Sequence, residues 1–416
     1  MLLVTALLGA PLAFGAVQAW AWALLGGLAA SSLFLWGLGC VQQRALKIAW
    51  SPLYLPAVLF LLLGTIQFFA HLTLDSIATR EALLKLATDL VFFFLAGQLL
   101  ATVSPKAWRL SGLAVVLYTF SLALFAILQF FSSHGLIYWT VKPAGSTFGP
   151  YVNRNHYAGL MEMLIPMAAG YVLSRPRSHP MRALLGFALL VPFASLLLCG
   201  SRGGFLSLLA EVVILGAVLL WRAPVPGPGR LATAGGLGII AAALLFLWID
   251  PGQVSRRLLT IANLARSPEV TLGERKVVAI DSLRIFRDHP WIGTGLGSFA
   301  TAYPAYQSFP TDLVYDHAHN DYVEALAEAG LLGGLLIMAA LAMFFGVAFR
   351  NMGQRLRREA SWIQLGSAVG CCGLLVHSLV DFNFHIPANA VWFAVSAAMA
   401  TSGPKAFGHF LGQKVS

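Results

Sequence analysis

Charge is scarce in this sequence. Only 11% of its 416 residues are Asp, Glu, Lys or Arg, while 58% are hydrophobic. That balance excludes an ordinary soluble domain and describes an integral membrane protein. Negative charge is the scarcer sign, with 17 acidic residues against 27 Lys and Arg and a formal net charge of +10. The excess does not signal a nucleic-acid partner, because membrane proteins collect Lys and Arg in cytoplasmic loops, where they set orientation. Cysteine is rare too: Cys40, Cys199 and the adjacent Cys371-Cys372 lie in or beside apolar runs without CxxC spacing. The pattern argues against a disulfide framework or a zinc site. Neither a Walker loop nor a dinucleotide fingerprint is present, and no internal repeat is evident. The first apolar stretch lacks a basic leader and runs on towards a second, so it reads as a retained span.

What is present is apolar sequence in lengths near the roughly 20 residues that cross a bilayer as helix. Twelve spans are expected, at 2–16, 19–39, 52–70, 82–102, 110–132, 157–174, 183–200, 203–221, 231–249, 331–349, 361–380 and 386–402. The fold class is therefore an all-α polytopic membrane protein. Residues 1–249 carry spans one to nine, 250–330 form a long loop with amphipathic helices, and 331–416 hold the last three spans and a short cytoplasmic tail. With both termini cytoplasmic, 15 of the 27 Lys and Arg residues fall in inner segments. Seven more lie in the long loop, which translocates regardless of charge. The loop then faces outward, into the periplasm of a Gram-negative cell.

Within the loop, 274–288 has an amphipathic helical pattern, and 319–329 runs towards the next span. Between them Pro290, Gly293, Gly295 and Gly297 predict a flexible turn. The candidate chemistry gathers around this loop. Arg154, in Asn153-Arg154-Asn155-His156, Arg202, in Ser201-Arg202-Gly203-Gly204, and Arg275 all sit on the outward side. Guanidinium forks match the oxygens of a diphosphate, and the glycines after Arg202 would let backbone amides approach an anion as well. An arginine at a helix end also snorkels or caps without any ligand.

In Asp316-His317-Ala318-His319-Asn320-Asp321, His317 and His319 offer an imidazole able to take a proton from a hydroxyl near neutral pH. Asp316 or Asp321 would orient it. Two other readings stand beside this one: a metal site formed with the flanking aspartates, and histidines at a membrane-interface turn. His377 and Asp381, four residues apart, share one helical face and lead into Asn383 and His385. They suit either substrate contact or a polar lock between helices, as do Glu162 and Glu211. Trp291, Phe299, Tyr303, Tyr306, Phe309, Tyr315 and Tyr322 suit either sugar stacking or a membrane-interface belt.

Several of these segments, in this order, resemble the O-antigen ligase and polymerase superfamily. They are Gly145-Ser146-Thr147-Phe148, Asn153 to Gly159, Ser201-Arg202-Gly203, Asp288 to Phe299, His317 to Tyr322, Glu328 to Gly333 and His377 to Phe382. The resemblance spans about residues 140–390. It implies a glycosyltransferase that uses an undecaprenyl-diphosphate-linked glycan on the outer face of the bacterial inner membrane. Acceptors in the superfamily are lipid A–core oligosaccharide for ligases, a second lipid-linked repeat for polymerases, or a protein hydroxyl. An inverting transfer without metal, nucleotide or other cofactor is implied. The family's essential loop histidine matches His319, with His317 able to fill the same role, and its diphosphate-binding arginines match Arg202 and Arg275. Arg154 joins them on its own chemistry, and Asn155, His156, Asn320 and Asp381 are accessory substrate-binding candidates. A groove between spans would hold the polyprenyl tail among membrane lipid. The rival from another class is a flippase for lipid-linked glycans, which should line a central cavity with charge in several spans. Here the cations sit at the rim.

Overall fold

The computed structural model describes residues 1–143, 145–176, 179–222, 236, 272–311, 314–352, 359–402 and 410–414. The expected span 231–249, apart from Gly236, and loop residues 250–271 lie outside them. The chain is an all-α polytopic membrane protein with, among the described residues, one two-stranded ribbon. Eight helices among the described residues are long and apolar enough to cross a membrane. Contacts divide it into two compact units, Met1–Val103, Val270–Gln354 and Ser378–Ser416 in the first, and Ser104–Glu269 and Arg355–His377 in the second.

The first unit begins with α1 (Leu2–Leu12), α2 (Ala19–Gln42), the strand β1 (Ala45–Ala49), α3 (Tyr54–Phe69) and α4 (Ser76–Thr102). Helix α4 starts six residues before the expected span because Asp75 caps it, its carboxylate accepting the N–H groups of Ile77 and Ala78. That first turn and a half is too polar to register as a span. The strand β2 (Phe410–Lys414) pairs antiparallel with β1, Ala45 opposite Lys414 and Ala49 opposite Phe410.

The second unit holds α5 (Pro105–Ser132), α6 (Arg154–Ser174), α7 (Pro180–Ala188), α8 (Leu190–Cys199), α9 (Arg202–Arg222) and a later helix, α13 (Glu359–His377). The seventh expected span is thus two short helices, broken at Leu189. Helix α6 is its buried centre. Gly366 and Gly370 of α13 lie against the backbone of Pro166 and Met163, and Gly170 of α6 lies against Trp362. Small residues at these points let the two helix backbones approach closely.

The rest of the first unit is α10 (Leu272–Asp288), the short α11 (Phe299–Ala302), α12 (Asp321–Met352) and α14 (Pro387–Thr401). Helix α10 matches the expected amphipathic segment. Helix α12 does not run straight: Gly330 interrupts it at φ 63°, ψ −163°, a region essentially open only to glycine. There Gly330 lies against the backbone of Trp291, while Gly293, at φ 70°, lies against the backbone of Glu328. The glycine-rich segment is consequently a packed strap and not a flexible turn. Gln67 fixes it from α3, donating to the carbonyls of Ile292 and Glu328 and accepting the Leu296 N–H. The buried Glu328 carboxylate accepts the N–H groups of Gly297 and Phe299.

Phe299, Tyr303 and Tyr315 pack with Val278 and Ile285 in a buried cluster, with Tyr306 and Phe309 against it. These rings form the core of the loop region. Sugar stacking and interface anchoring both fail for the buried ones, whereas Trp291 is exposed.

Candidate active site

In the first unit the local sequence folds so that three segments meet. Asn320 caps α12, its side-chain oxygen accepting the N–H groups of Tyr322 and Val323, each at 3.1 Å. Its amide nitrogen donates to the Leu379 carbonyl at 2.9 Å, and the Asp321 N–H donates to the Ser378 carbonyl at 3.0 Å. These bonds lay the histidine-bearing segment along the turn that carries Asp381. Asn320 is spent on this architecture.

Asp381 is fully buried, and its two oxygens divide their partners. One stands 3.6 Å from His319 Nδ1, and the other 3.3 Å from Arg275 Nη1. Arg275, from the first turn of α10, also donates through Nη1 to the Val380 carbonyl at 2.6 Å. Among the described residues its Nε has no hydrogen-bond partner. His319 therefore turns Nδ1 towards a carboxylate, with Nε2 on the opposite side of the ring. The His319 side chain is 12% exposed.

His317 is engaged elsewhere. Its Nδ1 lies 2.7 Å from Glu324, and its ring stacks on Phe382 at 4.3 Å between centroids. The Phe382 edge also meets His319 at 5.0 Å. Behind His317, His385 reaches Asp321 through Nδ1 at 3.0 Å and Glu324 through Nε2 at 3.2 Å. Burial alone would lower the His385 pKa. The carboxylates of Glu324 and Asp321, with Glu328 further off, overcome it and push the imidazole up to about 10.

Several expectations are corrected by this geometry. The carboxylate facing His319 is Asp381, not Asp316, which is exposed, or Asp321, which serves His385. The shared helical face of His377 and Asp381 does not exist, because α13 ends at His377. His377 instead pairs with the buried Glu162 of α6 at 2.9 Å, a polar lock within the second unit. The metal reading of His317 and His319 also changes. Among the described residues, the groups within reach of a common ion are His317, Glu324 and His385, whose ligand atoms lie within 4.8 Å of one another.

The second unit places the remaining candidates at helix starts. Arg154 is the first residue of α6, capped by Asn153, and its guanidinium lies beside Gly200, where an added Cβ would meet it at 3.5 Å. Arg202 opens α9 and is exposed. The Gly204 amide is not open to an anion, since Ser201 Oγ accepts it at 3.1 Å. Asn155 donates its N–H to Asn153, and His156 is buried. Sequence reasoning missed Glu324. Its available signal was an acid in the first turn after the Asn320 cap, where a side chain reaches back over the preceding residues.

Residues 187–338 match the family model described as O-antigen ligase. Over 373 residues the chain is 24% identical to a Pseudomonas aeruginosa protein named O-antigen ligase, a match covering 86% of this chain and 79% of that one. Both matches support the O-antigen ligase superfamily. The superfamily match contains Arg202, Arg275, His317, His319 and Glu324, whereas Asp381 and His385 lie beyond it.

Proposed function

We propose that the chain is a ligase-like glycosyltransferase moving a glycan from undecaprenyl diphosphate to an acceptor hydroxyl, with lipid A–core oligosaccharide as the favoured acceptor. The reaction is assigned to the periplasmic face of the bacterial inner membrane, in a chain of about 12 spans. One observation carries the reading: His319 and Arg275 flank the buried Asp381 carboxylate. His319 Nε2 takes the proton of the acceptor hydroxyl, and Asp381 stabilises the imidazolium that forms. The hydroxyl oxygen bonds to the anomeric carbon as the bond to the diphosphate oxygen breaks, which inverts the centre. Arg275 meets the charge developing on the leaving diphosphate with its remaining donors, an electrostatic contribution of the kind that dominates such transfers. Arg202 and Arg154 are candidates for the same chemistry as guanidinium forks at the starts of α9 and α6. The donor carries its own leaving group, so the step as written calls for neither nucleotide nor metal.

The engagement of His317 with Glu324 and Phe382 favours His319 as the base. Purified protein supplied with undecaprenyl-diphosphate-linked oligosaccharide and lipid A–core should release undecaprenyl diphosphate and form the joined product. Product with a second lipid-linked repeat and none with lipid A–core would make it a polymerase. Absence of transfer to every acceptor, with movement of the lipid-linked glycan across vesicles, would make it a flippase.

A further inference from the structure

We infer that Glu324 is a positioning residue for the proposed reaction, holding the His319 backbone in its working conformation without touching the reacting groups. The inference rests on the reading of His319 as general base. His319 sits at φ 51°, a left-handed conformation that residues other than glycine keep only where the surroundings hold it. On the C-terminal side the holding is done by Asn320 and Asp321, through the cap of α12 and the bonds to Leu379 and Ser378.

On the N-terminal side it is done by Glu324. One oxygen accepts the Ala318 N–H at 2.7 Å, and the other meets His317 Nδ1 at 2.7 Å. Glu324 is 1% exposed. A carboxylate so placed requires full pairing to stay there, and His385 supplies the third partner at 3.2 Å. Asp321 in turn fixes the His385 ring through Nδ1. Glu324 thus anchors the two residues before His319 to the first turn of α12, and His385 anchors Glu324.

The same three side chains have the spacing of a metal site, so the test must separate the two roles. A double-mutant cycle between Glu324→Gln and His319→Ala, read in steady-state transfer with the purified full chain, does so. A misplacement of about 1 Å at a reacting group costs on the order of 10²-fold in rate. Glu324→Gln should therefore lower kcat by about that factor in the wild-type background, with the donor KM within about twofold of wild type. In the His319→Ala background the same change should cost less than about threefold, because the group being positioned is gone. Glu324→Asp, which keeps the charge on a shorter arm, should lie between, and it takes the place of Glu324→Gln in the cycle if that variant does not fold.

Equal losses in both backgrounds would overturn the inference in favour of a general structural role, as would a Glu324→Gln enzyme of wild-type kcat. One equivalent of zinc bound by wild type after incubation with zinc chloride and lost in Glu324→Gln would overturn it in favour of a metal ligand. Full activity of His319→Ala alone would remove the general-base reading itself, and with it the inference.

Discussion

Asp381 lies between His319 and Arg275, 3.6 Å from the imidazole Nδ1 and 3.3 Å from the guanidinium. A fully buried carboxylate with a basic group on each side couples the two functions the proposed reaction requires. Whatever charge develops on the imidazole is met by Asp381, and whatever charge Asp381 carries is met by Arg275. Termination of α13 at His377 makes this possible, because the chain then leaves the helix and brings Asp381 round in a turn held by Asn320 and Arg275.

Arg275 should tolerate no replacement well. Alanine removes the fork from both the diphosphate and the Asp381 turn. Lysine restores charge but cannot serve the Val380 carbonyl, Asp381 and a diphosphate together as a planar fork does. Transfer by both variants should fall by at least about 10²-fold at matched protein level. Substantial turnover by Arg275→Ala in the purified system would contradict the assignment.

His385 predicts a pH dependence of stability. Its pKa is raised on folding, from an ordinary 6.5 to about 10. The protonated ring therefore contributes stability that is complete below about 6.5 and lost as pH rises through about 10. The thermal transition of the detergent-solubilised protein should fall across that window. His385→Gln should start lower and lose most of the slope; an unchanged slope would show that other groups set it.

Gly330 joins the two parts of α12 in a conformation closed to other residues, with the Trp291 backbone against it. Gly330→Ala should cost about 1–3 kcal/mol from backbone strain, with steric overlap added. A lowered thermal transition and poor yield are expected, whereas a wild-type transition would mean the crossing of the two segments is not essential.

Orientation is testable at two exposed positions. Val314, 89% exposed, belongs to the proposed outer loop, and Gln43, exposed after α2, to an inner one. In cells expressing the chain without its native cysteines, Val314→Cys should react with an impermeant maleimide once the outer membrane is opened. Gln43→Cys should react only after the inner membrane is breached. The reverse pattern would invert the topology. Ser298, in the same outer loop, is fully buried and would give no signal from either side.

The sequence revealed most of the helices because span-length apolar runs and amphipathic spacing are local properties. Helix α10 and the spans corresponding to α2, α3 and α6 lie within a few residues of expectation. Caps shifted other boundaries, as Asp75 did for α4, since a polar first turn is invisible to hydropathy. The histidine pair and Arg275 were legible as chemistry, but their partners were not. Asp381 is 62 residues beyond His319 in the chain, and its spacing from His377 suggested a helical face that the helix end abolishes. Glu324 looked like an ordinary acid in a first turn. The glycine-rich strap looked flexible because nothing local shows that Gln67, 225 residues before Ile292, holds it down.

The central claim is that His319, and not His317, takes the acceptor proton. It is tested most directly by comparing His319→Ala and His317→Ala in single-turnover transfer from undecaprenyl-diphosphate-linked oligosaccharide, with donor binding measured in parallel. His319→Ala should bind donor normally yet lose about 10²–10⁴-fold in rate, and His317→Ala should be milder. A His319→Ala enzyme transferring at the wild-type rate, or a dead His317→Ala beside an active His319→Ala, would contradict the account.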